Sequence, residues 1–305
     1  MPKKDREITF IDLFAGIGGF HIAFERAGAK CVFVSEWDAH ARNTYRHNFS
    51  KTSPELFEEN ANGETPTFAG DITEVSLEAG QTPIKNFDIL CGGFPCQPFS
   101  QAGLRKGLDE TRGTLFFNIL DILTHKSPDA YFLENVRGLE NHMSGETRTL
   151  DIIKEKLMSL GYSFNYDLVK ASDFGVPQHR PRLFMYGFKN AKSSEAFVKP
   201  EPIELELTMS DILGGEVPQK IGRTLRVGGV GSGINDRRNW DSYLVNGVET
   251  RITVKDALRM QGFPDWFEFP ETVSRTQAMK QLGNSVAVPA IEAYAKAIIT
   301  ALKKG

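Results

Sequence analysis

Ile8-Thr9-Phe10-Ile11-Asp12-Leu13-Phe14-Ala15-Gly16-Ile17-Gly18-Gly19 is the stretch whose reading decides the fold. Ile8 to Asp12 is strand-like. The glycines after it allow a sharp turn. Gly19 to Ala27 then places Phe20, Ala23, Phe24 and Ala27 on one helical face. Cys31 to Ser35 is a second strand. The same alternation continues downstream. A short apolar segment, Phe87 to Cys91, reads as a buried strand. Leu115, Phe116, Ile119, Leu120 and Leu123 form an amphipathic helix, and Ala130 to Leu133 and Leu183 to Phe188 are further strands. This order predicts an α/β fold around an open, mostly parallel sheet, with ligands held in loops beyond the carboxyl ends of the strands.

Several polar motifs fall at such strand ends. In the opening turn, glycines let backbone approach a ligand, and the helix N-terminus favours negative charge. The turn is not the dinucleotide fingerprint, because His21 stands where the third glycine would be. Read alone, it is a tight turn or a cofactor loop. Glu36-Trp37 closes the second strand. An acid there commonly binds ribose hydroxyls, and an aromatic beside it could stack on a base. The plain alternative is a surface acid beside a half-buried indole. Asp71, in Gly70-Asp71-Ile72, reads alone as a cap or turn residue.

Gly92-Gly93-Phe94-Pro95-Cys96-Gln97-Pro98-Phe99-Ser100 follows the strand Phe87 to Cys91. Prolines flanking the Cys-Gln pair restrict its backbone, so one thiol is presented on a stiff turn. Free cysteines are usually inert core residues. Pro-Cys-Gln-Pro and the polar loop after it instead suggest a nucleophile, which would need activation to act as a thiolate. The six histidines sit in no protease signature. Glu134-Asn135-Val136 follows the strand Ala130 to Leu133 and would project a carboxyl group into the same crevice. Gln178-His179-Arg180-Pro181-Arg182 sets two arginines two residues apart, on one side of an extended chain. They are a solvated patch or a pair aimed at a carboxylate or phosphate.

Composition narrows the class. The 305 residues suffice for one large domain or two ordinary ones, and 40% hydrophobic with 25% charged residues fits a soluble globular protein. The charged start Met1-Pro2-Lys3-Lys4-Asp5-Arg6-Glu7 lacks the apolar core of a signal peptide, and no apolar stretch reads as long enough to span a bilayer. Three cysteines, Cys31, Cys91 and Cys96, lack zinc-site spacing and fit a reducing cytoplasm. A net charge of −3 excludes a generic polyanion binder, so nucleic-acid contact would need local basic patches.

Taken in order, DLFAGIGG, EW, GDI, GGFPCQPFS, RGTLF, ENV, QHRPR, RITVKDALRMQGFPD and QLGNSVAVP resemble the motifs of the bacterial DNA (cytosine-5)-methyltransferases of type II restriction-modification systems. The resemblance covers nearly the whole chain and lapses around the linker and small domain. It implies S-adenosyl-L-methionine as cofactor, held by Phe14, Ala15, Gly16, Gly18 and Gly19. Glu36 would take the ribose and Trp37 the adenine face, with Asp71 and Ile72 at the adenine edge. Gly93, Pro95, Leu115, Asn284 and Ser285 would complete the pocket. Cys96 would be the nucleophile, Glu134 and Arg182 would grip the target cytosine, and Arg180 and Asn135 would support them. No metal is required.

The target implied is double-stranded DNA with its cytosine flipped out, since a stacked base cannot be reached. Gln97 to Arg112 reads as a lid, with Gln97, Ser100, Gln101, Arg105 and Lys106 contacting DNA. Gln219 to Trp240 carries Lys220, Arg223, Arg226, Arg237 and Arg238 against one acid, Asp236. With Thr224, whose Thr-Leu pair resembles the family's recognition region, these arginines would touch DNA as base readers or phosphate clamps. The expected organisation is a catalytic and cofactor-binding domain over 1–188, a small target-recognition domain over 189–275 and a C-terminal segment, 276–305, returning to the first. Ala191 to Glu206 reads as a linker. A cytoplasmic monomer, with a restriction endonuclease as genetic partner, is the expected setting. Three competitors remain: a transfer RNA methylase of the same fold, whose usual Cys-Phe-Thr tripeptide is absent; a silent DNA binder, which intact Cys96, Glu134 and Arg182 oppose; and a nicotinamide-dependent oxidoreductase, which the missing third glycine and the Pro-Cys motif oppose.

Overall fold

The structure, a computed structural model, describes residues 6–94, 115–229 and 231–305. The opening stretch forms strand β1 (Ile8–Leu13) and helix α1 (Gly19–Arg26), followed by β2 (Ala29–Ser35), α2 (Ala39–Phe49), β3 (Phe68–Ala69) and β4 (Ile89–Gly93). Then come α3 (Leu115–Lys126), β5 (Ala130–Val136), a small hairpin of β6 (Met143–Ser144) and β7 (Thr147–Arg148), α4 (Thr149–Ser159), β8 (Asn165–Lys170) and β9 (Pro181–Phe188).

Seven of these strands make one sheet in the order β3-β2-β1-β4-β5-β9-β8. The first five are parallel. Strand order reverses direction between β1 and β4, and a crevice opens at such a switch point. Strands β1, β4 and β5 are buried almost throughout, because helices cover both faces and every side chain must be apolar or paired. Alternate residues divide between two cores. Phe10, Ile89 and Phe132 face the layer holding α1 and the C-terminal helix. Ile11, Leu90 and Tyr131 face the layer holding α3 and α4. Phe132 has ring contacts with Phe20, Phe24, Phe184 and Tyr294, and cutting it to alanine would cost about 3–5 kcal/mol.

Two glycines have no substitute. Gly18, at the start of α1, has φ +89°, and a Cβ there would lie 2.3 Å from the Phe49 ring. A Cβ on Gly92 would lie 2.3 Å from the Leu13 carbonyl oxygen, so β4 could not pass β1 with a side chain there.

Beyond the sheet lie α5 (Ala191–Ala196), α6 (Met209–Leu213), a hairpin of β10 (Ser242–Val245) and β11 (Val248–Arg251), and helices α7 (Val254–Met260), α8 (Arg275–Asn284) and α9 (Val288–Lys304). The linker expectation needs correction. Ala191 to Ala196 is helical, capped by the Asn190 side chain, and packs against α9. Its serines and charges masked a short helix held by tertiary contact rather than periodicity. Among the described residues between 221 and 247, regular structure is sparse. The basic stretch has only a bridge between Gln178 and Gly222, and the hairpin begins at Ser242. Its turn is Asn246-Gly247, both with positive φ, as a two-residue hairpin turn demands. Met209, Leu225, Trp240 and Tyr243 belong to the same continuous hydrophobic cluster as α1 and α9.

Arg275–Lys304 is, by length and composition alone, long and apolar enough to cross a membrane, contrary to the sequence expectation. It is broken between Asn284 and Val288, and α9 packs on α1, which accounts for its apolar face.

Candidate active site

A cavity of about 630 Å³ opens at the carboxyl ends of β1, β2, β4 and β5. It is lined by Phe14, Gly16, Glu36, Trp37, Asp71, Ile72, Gly93 and Leu115 on one side, and by Glu134, Asn135, Arg180, Arg182 and Asn284 on the other. Thirteen residues picked from scattered motifs therefore line one cavity. Ala15, Gly18, Gly19 and Ser285 stand behind it: the Ala15 amide donates to the Ser35 carbonyl at 3.1 Å, and the Ser285 hydroxyl lies against Gly19. Pro95, Cys96, Gln97, Ser100, Gln101, Arg105 and Lys106, with the rest of the expected lid, lie outside the described residues.

The half of the cavity around Glu36 is built on backbone. Glu36 is buried, and its carboxylate accepts from the amides of Gly16 at 2.7 Å and Asp38 at 2.8 Å. Burial raises its pKa, opposed by those two amides. Arg42 donates to the carbonyls of Glu36 at 2.8 Å and Trp37 at 2.7 Å, fixing the chain between them. Trp37 is 77% exposed, so an indole face is free at the cavity rim. Asp71 caps the turn Ile72–Glu74 through the Thr73 amide at 2.9 Å and also lines the cavity; capping and lining coexist. Phe14 holds φ 57°, a left-handed conformation that costs an aromatic residue on the order of 1–3 kcal/mol and directs the chain around the cavity mouth. An aromatic face, a carboxylate fixed by main chain and a cavity of this size fit a nucleoside-bearing cofactor such as S-adenosylmethionine.

The other half depends on an antiparallel strand. β9 runs against β5, with Arg182 opposite Val136 and Phe184 opposite Glu134. Residues just before β9 therefore arrive at the edge where β5 ends. That places Arg180 and Arg182 beside Glu134, although Arg180 precedes β9 and Arg182 lies at its start rather than at a strand's carboxyl end. Arg182 Nε lies 2.7 Å from Glu134 Oε1. This is an ion-pair contact without hydrogen-bond alignment, and among the described residues Oε1 has no hydrogen-bond partner. Asn135 Nδ2 donates to the Phe94 carbonyl at 2.9 Å, gripping the chain just before Pro95-Cys96. Arg180 is buried and donates to the carbonyls of Leu225 and Gly283, each at 3.2 Å, and of Ser285. Burial, then neighbouring Arg182, lowers its pKa to about 9, so it stays charged at neutral pH.

The candidate recognition residues gather less tightly. Arg223, Thr224 and Arg226 line a second cleft of about 370 Å³. Arg223 donates to the Ser242 carbonyl at 3.1 Å and lies over the Tyr243 ring; the Thr224 hydroxyl donates to the His179 carbonyl. Arg226 donates to the Arg238 carbonyl at 2.9 Å. Arg237 and Arg238 are exposed and do not line that cleft. Arg238 pairs with Asp236 at 2.8 Å, which pulls that carboxyl down to about 2.

Sequence reasoning missed Asn118, Lys280 and Gln281, which also line the large cavity. Lys280 precedes Asn284 by one helical turn, so reading Arg275–Asn284 as a helix would have found it.

A Rossmann-like sheet with this cavity at its switch point defines an S-adenosylmethionine-dependent type of methyltransferase fold. A crystal structure of a Spodoptera frugiperda DNMT2 mutant shares it, with a TM-score of 0.69 at 19% identity over 96% of this chain and 100% of that one. Within that class, the chain belongs to the C-5 cytosine-specific DNA methylase family, matching over residues 8–227 and 219–300. The type II methyltransferase M.HpaII of Haemophilus parainfluenzae is 38% identical, over 99% of this chain and 92% of its own. The type II methyltransferase M.HhaI of Haemophilus parahaemolyticus is 35% identical, over 95% of this chain and 94% of its own.

Proposed function

We propose that this DNA (cytosine-5)-methyltransferase methylates a cytosine extruded from a short, specific sequence of double-stranded DNA, through a covalent bond from Cys96 to carbon 6 of the base. The observation that carries the reading is the Glu134–Arg182 pair at the cavity end where Asn135 holds the chain leading into Cys96.

S-adenosylmethionine, when bound, supplies the electrophilic methyl group. Carbon 5 of cytosine is a weak nucleophile by itself. Addition of the Cys96 thiolate to carbon 6 makes carbon 5 enamine-like and nucleophilic. Glu134, sharing a proton with ring nitrogen 3, stabilises that adduct. Arg182 holds Glu134 in place and donates to oxygen 2. After methyl transfer, carbon 5 loses its proton to water and the carbon–sulfur bond breaks, which releases the Cys96 thiolate, returns the shared proton from nitrogen 3 to Glu134 and restores the aromatic ring. Glu36 accepts from the ribose hydroxyls, and Trp37 covers the adenine. Arg180 bridges the strand edge to the segments at Leu225 and Ser285, so it acts as a positioning residue.

The setting proposed is a cytoplasmic monomer that protects DNA from a cognate restriction endonuclease, with residues 1–188, 189–275 and 276–305 as catalytic, recognising and returning segments. The basic stretch around Arg226 supports DNA as the substrate. Bisulfite sequencing of plasmid from cells making the protein tests the reading. One short motif fully methylated at one cytosine is expected; unmethylated plasmid beside soluble, folded protein would refute it. Cys96→Ser should lose turnover by roughly a thousandfold or more while still binding DNA and S-adenosylhomocysteine.

A further inference from the structure

Beside the large cavity lies the second cleft, and the two share Val136 and Arg182 as a common wall. Three other arginines line the smaller one: Arg137, Arg223 and Arg226. No acidic side chain lines it among the described residues. Four guanidiniums without a carboxylate make a site for an anion.

These arginines are not equivalent. Arg182 is engaged with Glu134, Arg223 with the Ser242 carbonyl and Arg226 with the Arg238 carbonyl. Arg137 is exposed and, among the described residues, has no hydrogen-bond or ion-pair partner. It opens the short turn Arg137–Asn141 directly after β5 ends. Next to it, Gly138 leaves open space where a side chain would stand.

We propose that Arg137 clamps a backbone phosphate of the DNA strand carrying the target cytosine, at the phosphate flanking the extruded nucleotide. The proposal rests on the DNA-methylating reading above. Glu134 and Arg137 are three residues apart, at most about 10 Å along the chain. That is the order of distance from a pyrimidine ring to its own phosphate. A base seated against Glu134 must therefore leave its phosphate near the adjoining cleft. An unengaged guanidinium forks onto phosphate oxygens without disturbing a fold contact. It also carries no base information, since every sequence presents the same phosphates.

The test uses a short duplex containing the motif mapped by methylation sequencing, with S-adenosylhomocysteine present. Affinity is measured across a salt series for wild type, Arg137→Ala and Arg137→Lys. Arg137→Ala should bind about tenfold more weakly. Its plot of log affinity against log salt should be shallower by about 0.9, the loss of one phosphate contact. The loss should be equal on duplexes of unrelated sequence, and Arg137→Lys should keep the wild-type slope. Replacing phosphates one by one with uncharged methylphosphonate locates the contact. Beside the target cytosine the neutral linkage should weaken wild type and leave Arg137→Ala unaffected. An unchanged slope, a loss confined to one base-pair identity, or equal sensitivity of both proteins at that linkage would overturn the proposal. If wild type leaves the unmodified duplex unmethylated, the functional reading falls first and the clamp falls with it.

Discussion

The sheet edge at Glu134 and the basic stretch from Gln219 to Trp240 face each other across Arg182 and the second cleft, and they are built on opposite principles. At the sheet edge, each polar side chain has its place set by strand register. Glu134 sits in a ladder between Gly93 and Phe184, and Arg180 is buried on three carbonyls. Among the described residues of the basic stretch, regular pairing is reduced to the bridge at Gly222, and the arginines are held by single carbonyls or exposed. Chemistry needs atoms fixed to within a fraction of an ångström, whereas recognition must change between relatives without disturbing the core. Tethering thus separates roles: a side chain bonded on several sides positions, and a free one meets solvent or phosphate.

The strongest challenge is to substitute buried Arg180 and half-buried Arg182 in turn. Arg182→Lys keeps a charge near Glu134 and loses the planar fork. It should leave folding intact and lower turnover by about a hundredfold or more, as loss of a fixed donor to a developing charge does. Arg180→Leu removes donors from three carbonyls, so it should destabilise the protein by about 3 kcal/mol and lose activity with the fold. Thermal unfolding and single-turnover methyl transfer measured on both variants check this. Equal losses of stability would show that the sheet edge does not divide positioning from chemistry.

Much of that edge was legible in the chain. Phe10, Leu13 and the glycine turn gave α/β alternation because a strand buried on both faces must be continuously apolar. The cavity residues were legible because each ends or begins a strand. Less legible was why Arg180 and Arg182 arrive there, since antiparallel β9 puts a strand's beginning where parallel strands end. The helix Ala191–Ala196 escaped notice because α9, a hundred residues away, supplies its packing. Lys280 and Gln281 escaped because α8 has its buried face interrupted by polar residues that turn toward the cavity.

The basic stretch offers a smaller effect of different kind. Arg226 is tethered to the Arg238 carbonyl, so its remaining donors have a set direction, which base reading requires. Arg237 is exposed with no such tether. Arg226→Ala should relax discrimination at one base pair by about 1–3 kcal/mol. Arg237→Ala should weaken binding evenly on all sequences and make the salt slope shallower. Binding to a panel of duplexes, each with one substituted pair, distinguishes them. The reverse assignment would mean that tethering does not mark the base reader.

Smallest in effect, and back inside the sheet, is Asp12. It is fully buried beneath the glycine turn, and among the described residues neither carboxyl oxygen has a well-formed hydrogen bond. Burial, then the nearby charge of Glu36, pushes its pKa well above the ordinary carboxylate range, and the His21 amide opposes this only in part. An acid whose folded pKa is raised binds its proton more readily in the folded state than in the unfolded chain. It is therefore least costly to folding at acid pH, below the unfolded value. As pH rises from there toward the folded value, stability falls by this group's share. Asp12→Asn removes the ionisation while keeping the shape. At neutral pH the variant should be more stable, on the order of 1 kcal/mol, and the gain should shrink as pH is lowered toward the ordinary carboxylate range. Thermal unfolding of both proteins across that window decides it. A variant less stable than wild type at neutral pH would mean that the Asp12 charge has a partner that offsets its burial, and that the rigid edge extends down to the root of the glycine turn.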